Sequence, residues 1–261
     1  MIAIMPSAHL FLVLALITFL TGIGRSYAGS PIPANCRQLV VAIAPDANSS
    51  HARLALAERH QGDPHWKWVT SPTPVRLGHA GLAWGLGLHR SPQGAPQKRE
   101  GDGKAPAGAF AIGHAYGTLP AATIARRASL RYTHIGEGDL WVEDSSSPHY
   151  NRHLKLPNNR PAQSPWEKKQ QMKLNDNAHK LKVFIAHNPP PKVTPNAGSA
   201  IFFHIWRNNG KRATSGCTVM PESRLRHLIQ WLDPNARPVY VLLTAQDYRR
   251  LHKQWNLPDA F

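Results

Sequence analysis

A chain of 261 residues holds one medium-sized domain plus a leader, and 42% hydrophobic residues supply a globular core while excluding a multi-span membrane protein. Lys and Arg number 31 against 15 Asp and Glu, a formal charge of +16 that implies an anionic partner. The basic residues are scattered, and no helix-turn-helix, C₂H₂ finger or RNP sequence accompanies them. The reading therefore turns from nucleic acid to the carboxylates and polyphosphates of a bacterial wall, or to plain solubility.

The predicted elements begin with a leader. Residues 10–22 (LFLVLALITFLTG) form an apolar run of signal-peptide length, short of the roughly 20 residues of a membrane span. Ser26-Tyr27-Ala28 places small residues for cleavage before Gly29, giving a signal peptide over 1–28 and one catalytic-size domain over 29–261. The protein is then exported, to the periplasm or cell wall. Membrane contact follows only if the leader, which lacks Lys or Arg ahead of Leu10, stays uncleaved. Pro33-Ala34-Asn35 does not read as a lipoprotein cleavage site before Cys36.

Past the leader, residues 37–44 read as a strand, and 65–69 and 74–78 alternate like the strands of a hairpin. Residues 108–113 and 140–142 are further strand candidates. The runs 181–186 (LKVFIA) and 199–206 (SAIFFHIW) have the near-continuous apolar centres of central strands. Residues 154–180 are polar, basic and punctuated by Pro and Asn, which suits a lid or a surface insertion. A helix is expected over 222–232 from the apolar spacing of Leu225, Leu228, Ile229 and Leu232, with Glu222 opening it and Asp233-Pro234 stopping it. A last strand over 238–243 and a short helix over 246–255 complete a mainly-β domain with one or two helices.

The chemistry concentrates in residues 198–221 (GSAIFFHIWRNNGKRATSGCTVMP). A strand carries His204 near its end, a polar loop turns the chain, and Cys217 follows thirteen residues later. A free thiol has a pKa of about 8.5, so it needs a neighbouring base to become a nucleophile at neutral pH. An imidazole returned beside it by a strand-loop-strand path supplies that base. Gly216 lets backbone approach a substrate carbonyl, and amides around Ser215, Gly216 and Cys217 offer oxyanion donors. On these residues alone three readings stand: nucleophilic catalysis, a disulfide between Cys36 and Cys217, and inert packing. Zinc is a poor fit, because His187, His204 and Cys217 follow no ligand spacing and no His-Glu-x-x-His is present.

The run His204 … Thr214-Ser215-Gly216-Cys217 resembles the signature of the L,D-transpeptidase (YkuD-type) family. So does Gly101-Asp102-Gly103-Lys104-Ala105-Pro106-Ala107-Gly108-Ala109-Phe110, which is similar to that family's Gly-Asp-x-x-(Thr/Ser)-Pro-x-Gly-x-Phe hairpin with Ala105 at the hydroxyl position. Trp141-Val142-Glu143-Asp144, Tyr150-Asn151 and Ile185-Ala186-His187-Asn188 add further matches, so the resemblance spans about residues 38–243. It departs at Ser215, where many members have His, and at Thr218-Val219, where many have Val-Arg. The resemblance implies an L,D-transpeptidase-like β-sandwich, Cys217 as nucleophile and His204 as its base. It also implies peptidoglycan stem peptides as partners and no cofactor. His187, Asn188 and Arg207 become candidate substrate contacts, with Lys211 and Arg212 as other cations for a substrate carboxylate. The outcome implied is a 3-3 cross-link when an amine accepts the acyl group, or L,D-carboxypeptidase trimming when water does. A non-catalytic wall-binding protein is the alternative from another class.

Overall fold

The computed structural model describes residues 29–125 and 129–261. The expected signal peptide over 1–28 lies outside the described residues. Among them, thirteen strands and four α-helices occur. In chain order they are β1 (Gln38–Ala44), β2 (His51–Glu58), β3 (Lys67–Trp68), β4 (Thr73–Arg76), β5 (Leu82–Trp84) and β6 (Ala105–Gly117). Helix α1 (Ala121–Ala125), β7 (Tyr132–His134), β8 (Asp139–Trp141), β9 (His153–Lys155) and α2 (Pro165–Lys169) follow. The chain ends with β10 (Leu181–Ile185), β11 (Phe202–Ile205), β12 (Thr218–Met220), α3 (Glu222–Trp231), β13 (Val239–Thr244) and α4 (Ala245–Trp255).

The mainly-β class is as expected, but the sheet arrangement is a correction to the sandwich. Strand order runs β1-β13-β6-β10-β11-β12-β4-β2-β3, and β1 also pairs with β2, so the sheet closes on itself like a barrel. Closure gives β1 a partner on both sides, so neither of its edges is left unpaired. The expected hairpin of residues 65–69 with 74–78 is also corrected, because β3 and β4 both pair with β2 and not with each other.

Alternation along β10 explains the two-sided burial of the central strands. Leu181, Val183 and Ile185 enter the main core with Phe203 and Ile205 of β11. Phe184 and Phe202 point the other way, into a second apolar cluster with Tyr116, Ile135, Trp141 and Met172. Trp141 meets Phe184 and Phe202 at ring-centroid distances of 4.7 and 4.8 Å. The insertion over 154–180 is an ordered flap over this second cluster. Its β9 pairs with β8, a Ser164–Glu167 capping box starts α2, and Trp141 N donates to Gln170 O at 2.8 Å.

Candidate active site

Strand register brings the thiol and the imidazole together. Strands β11 and β12 run parallel, with His204 opposite Val219. Cys217 precedes Val219 by two residues, so it shares the face of His204 under the period of two along a strand. The thiol donates to Ala200 O at 3.4 Å and accepts from Phe202 N at 3.4 Å, and it packs at the margin of the second apolar cluster. Among the described residues no hydrogen bond runs from Cys217 to His204.

His204 is buried, and its Nδ1 lies 2.9 Å from Ile205 O. A carbonyl only accepts, so Nδ1 carries the proton and Nε2 keeps its lone pair. Burial pushes the imidazole pKa down to about 4, with the Lys182 and Arg207 charges adding to the shift, so the ring is neutral and able to accept a proton. Burial pushes the Cys217 thiol up to about 11, against a downward pull from the Phe202 amide and the Lys182 and Lys98 charges. The Cys217 thiol is therefore neutral at rest.

The loop that delivers Cys217 is bracketed on both sides. His79 N donates to Thr214 O at 2.7 Å, and Thr214 Oγ1 donates to Cys217 O at 2.7 Å. Gly216 has φ +151°, and a Cβ there would stand 2.9 Å from Lys104 O and 3.0 Å from Ile201 Cδ1, so only glycine fits. The turn at Asp102 is fixed in place by the buried Lys98, whose Nζ donates to Asp102 Oδ1 at 2.6 Å. Arg99 N and Lys104 N also donate to this carboxylate, and together these partners hold its pKa below the usual range despite burial.

The family model for the L,D-transpeptidase catalytic domain, YkuD, matches residues 48–241, well over half of the chain. The chain belongs to the YkuD family. No curated protein and no solved structure matches it.

In this YkuD domain the remaining predicted site residues divide into three groups. Gly216 and Ser215 flank the nucleophile as expected, but the Gly216 amide donates to Thr214 Oγ1 at 3.0 Å. That amide is occupied, which leaves the backbone of Ser215 and Cys217 to serve an oxyanion. His187 and Asn188 are both fully buried, so neither side chain reaches the surface. His187 accepts from Leu86 N at 3.1 Å and donates to Ala197 O at 2.9 Å, so both ring nitrogens are used. Asn188 ties Thr194 and Gly198 through three hydrogen bonds. Arg207 is half-exposed and paired with Asp176 of the insertion at 2.5 Å. Cys36 and Cys217 are both free, Cys36 within the main core and Cys217 against the second cluster, which removes the disulfide reading.

Three further side chains bear on these residues, of which His179 and Lys182 were not singled out in the sequence and Asn151 was quoted only within a motif. His179, from the end of the insertion, stacks on His204 with centroids 4.8 Å apart and planes 24° apart. Lys182 of β10 is the cross-strand partner of His204 and is buried. Asn151 is also buried and takes the left-handed conformation at φ 54°. Its Oδ1 accepts from Trp141 Nε1 and Ala200 N, and its Nδ2 donates to His187 O and Asn188 O. The one readable signal for Lys182 was a lone cation inside the apolar run LKVFIA.

Proposed function

We propose that this protein is a peptidoglycan L,D-transpeptidase that transfers acyl groups from tetrapeptide stems through Cys217. The observation that carries the proposal is the placement of Cys217 and His204 on one face of adjacent parallel strands, with His204 held as the Nδ1–H tautomer. In the first step the Cys217 sulfur attacks the carbonyl of the third stem residue, a diamino acid, while the thiol proton passes to His204 Nε2. The tetrahedral oxyanion is met by the backbone amides of Ser215 and Cys217. Collapse forms the thioester and breaks the C–N bond to D-Ala, whose amine takes the proton from His204. In the second step the side-chain amine of another stem attacks the thioester. Its proton passes through His204 to the departing sulfur, and the 3-3 cross-link is left.

The +16 charge favours the anionic wall as partner, and the leader favours export to the periplasm or cell wall. The exposed Lys211 and Arg212, on the loop between His204 and Cys217, suit the free carboxylate of a stem. The test is mass spectrometry of the full-length protein incubated with disaccharide-tetrapeptide, beside Cys217→Ala. Dimer with loss of D-Ala, absent from the variant, is the expected result. Tripeptide alone would replace the transpeptidase by a carboxypeptidase. No product from a folded protein with a free Cys217 thiol would sink the enzymatic reading in favour of wall binding.

A further inference from the structure

Lys182 is a buried cation that the proposed transfer does not use. Its side chain is in β10, opposite His204 in the antiparallel register, and so emerges on the face that carries His204 and Cys217. The ammonium donates to Met172 O at 2.9 Å, lies 3.3 Å from His179 Nδ1 and sits 5.5 Å from the centroid of the Phe202 ring. No carboxylate takes a direct hydrogen bond from it among the described residues. Asp176 of the insertion and Glu143 after β8 are the acidic groups that act on it from a distance. A cation taken out of water with a carbonyl, an imidazole and an aromatic face as its partners is costly, and structural packing alone is served better by an apolar side chain.

We propose that Lys182 is the positioning residue that sets the charge state of the nucleophilic site. It holds His204 unprotonated and stabilises the negative charge that appears on Cys217 as the thiol ionises. The inference rests on Cys217 being the nucleophile, though not on which acceptor takes the acyl group. Four shifts within the cluster agree with it. Burial lowers Lys182 itself to about 8, with Cys217, Asp176 and Glu143 pulling upward. The Lys182 charge lowers His204 and Cys217 alike, each against or beside a larger effect of burial. His179 is held neutral by burial and then by Lys182, so it can accept from the ammonium at Nδ1 while its ring covers His204.

The division of labour differs from a cysteine–imidazolium pair. There the imidazole both removes the proton and supplies the counter-charge. Here the counter-charge is built in, and His204 is spared for proton transfer.

The test measures the rate of Cys217 alkylation by iodoacetamide at pH 7 in the full-length protein, read by mass on the Cys217 peptide, where Lys182 still carries its proton. Alkylation reports thiolate and needs no stem substrate, so a failed cross-linking assay and a failed Lys182 assay are separate results. Lys182→Met should slow alkylation by about ten- to a hundredfold, the effect of losing a unit charge within a side chain's reach at an effective dielectric of about 20. Lys182→Arg should recover at least half of that loss on a logarithmic scale. A folded Lys182→Met protein with an unchanged rate overturns the proposal. Should Lys182→Met fail to fold, the wild-type rate between pH 7 and 9 decides: a rise that flattens as the ammonium loses its proton near 8 upholds the proposal, and a rise of about tenfold per pH unit across that range overturns it.

Discussion

Replacing Asn151 by Ala should cost far more than a polar substitution usually does. The side chain makes four hydrogen bonds, from Trp141 Nε1 and Ala200 N, and to the carbonyls of His187 and Asn188, over 2.7 to 3.0 Å. Truncation leaves buried donors and acceptors without partners, at about 1 kcal/mol or more each. The position is left-handed at φ 54°, which adds about 1 kcal/mol for a residue with a Cβ that gains nothing from it. The sum is about 5 kcal/mol, or a melting temperature lower by about 10–20 °C for a domain of this size. Ala200 is also left-handed, at φ 54°, and its carbonyl holds the Cys217 thiol. Loss of the Asn151 bond to Ala200 N should therefore disturb the Cys217 thiol as well as the fold. Differential scanning calorimetry of wild type, Asn151→Ala and Asn151→Gly separates the contributions, since Gly escapes the conformational penalty and should recover about 1 kcal/mol. A fall of less than about 3 °C for Asn151→Ala would refute the reasoning, because four orphaned buried groups cannot cost so little.

The other predictions concern pH, the nucleophile loop and the insertion. His187 and His204 are each held near 4 by burial, while in the unfolded chain they titrate near 6.5. The unfolded state then binds more protons as pH falls through 6.5 toward 4, so stability is lost over that window. By pH 5 the two together should cost about 4 kcal/mol, read as a lower urea midpoint than at pH 7.5, and a flat profile would contradict their burial as neutral rings. Gly216→Ala should abolish stem transfer and destabilise by about 1–3 kcal/mol through strain at φ +151°, measured by product mass and thermal melt. Arg207→Ala breaks a pair whose side chains are 35% and 34% exposed, so stability should move by less than about 1 kcal/mol. Trypsin should nevertheless cut within residues 154–180 faster than in wild type; equal cutting would mean the pair does not hold the insertion down.

Legibility in the sequence followed the strength of the local signal. β10 and β11 were readable because both faces are buried and their apolar runs are nearly unbroken. β2 was not, because His51–Glu58 alternates small alanines with leucines and one arginine, a weak period-two pattern. β5, β7 and β9 are three residues each, too short to carry a period. Barrel-like closure rests on β1 meeting both β2 and β13, partners some two hundred residues apart, which no local window sees. Within the site, Cys217, His204 and Gly216 were legible as one contiguous motif. His179 was hidden because its role is to stack on a ring contributed by another segment. Lys182 was hidden because a single polar residue in an apolar strand has no signature until its cross-strand partner is known. His187 and Asn188 were legible as a motif but not as buried residues, since a motif does not say whether a side chain reaches the surface.

The parallel pairing of β11 with β12 also decides what can vary in this chain. Only the strand ends need to meet in register, with His204 against Val219. The eleven residues from Trp206 to Gly216 form a return path whose middle, from Arg207 to Arg212, is surface. Insertions or replacements there can change what the loop presents to solvent while the register that faces Cys217 and His204 the same way stays fixed. A slip of a single residue in β12 itself would turn the sulfur to the opposite face of the sheet. Register and surface are in this way separated along one short stretch, the first fixed by strand pairing and the second open to change.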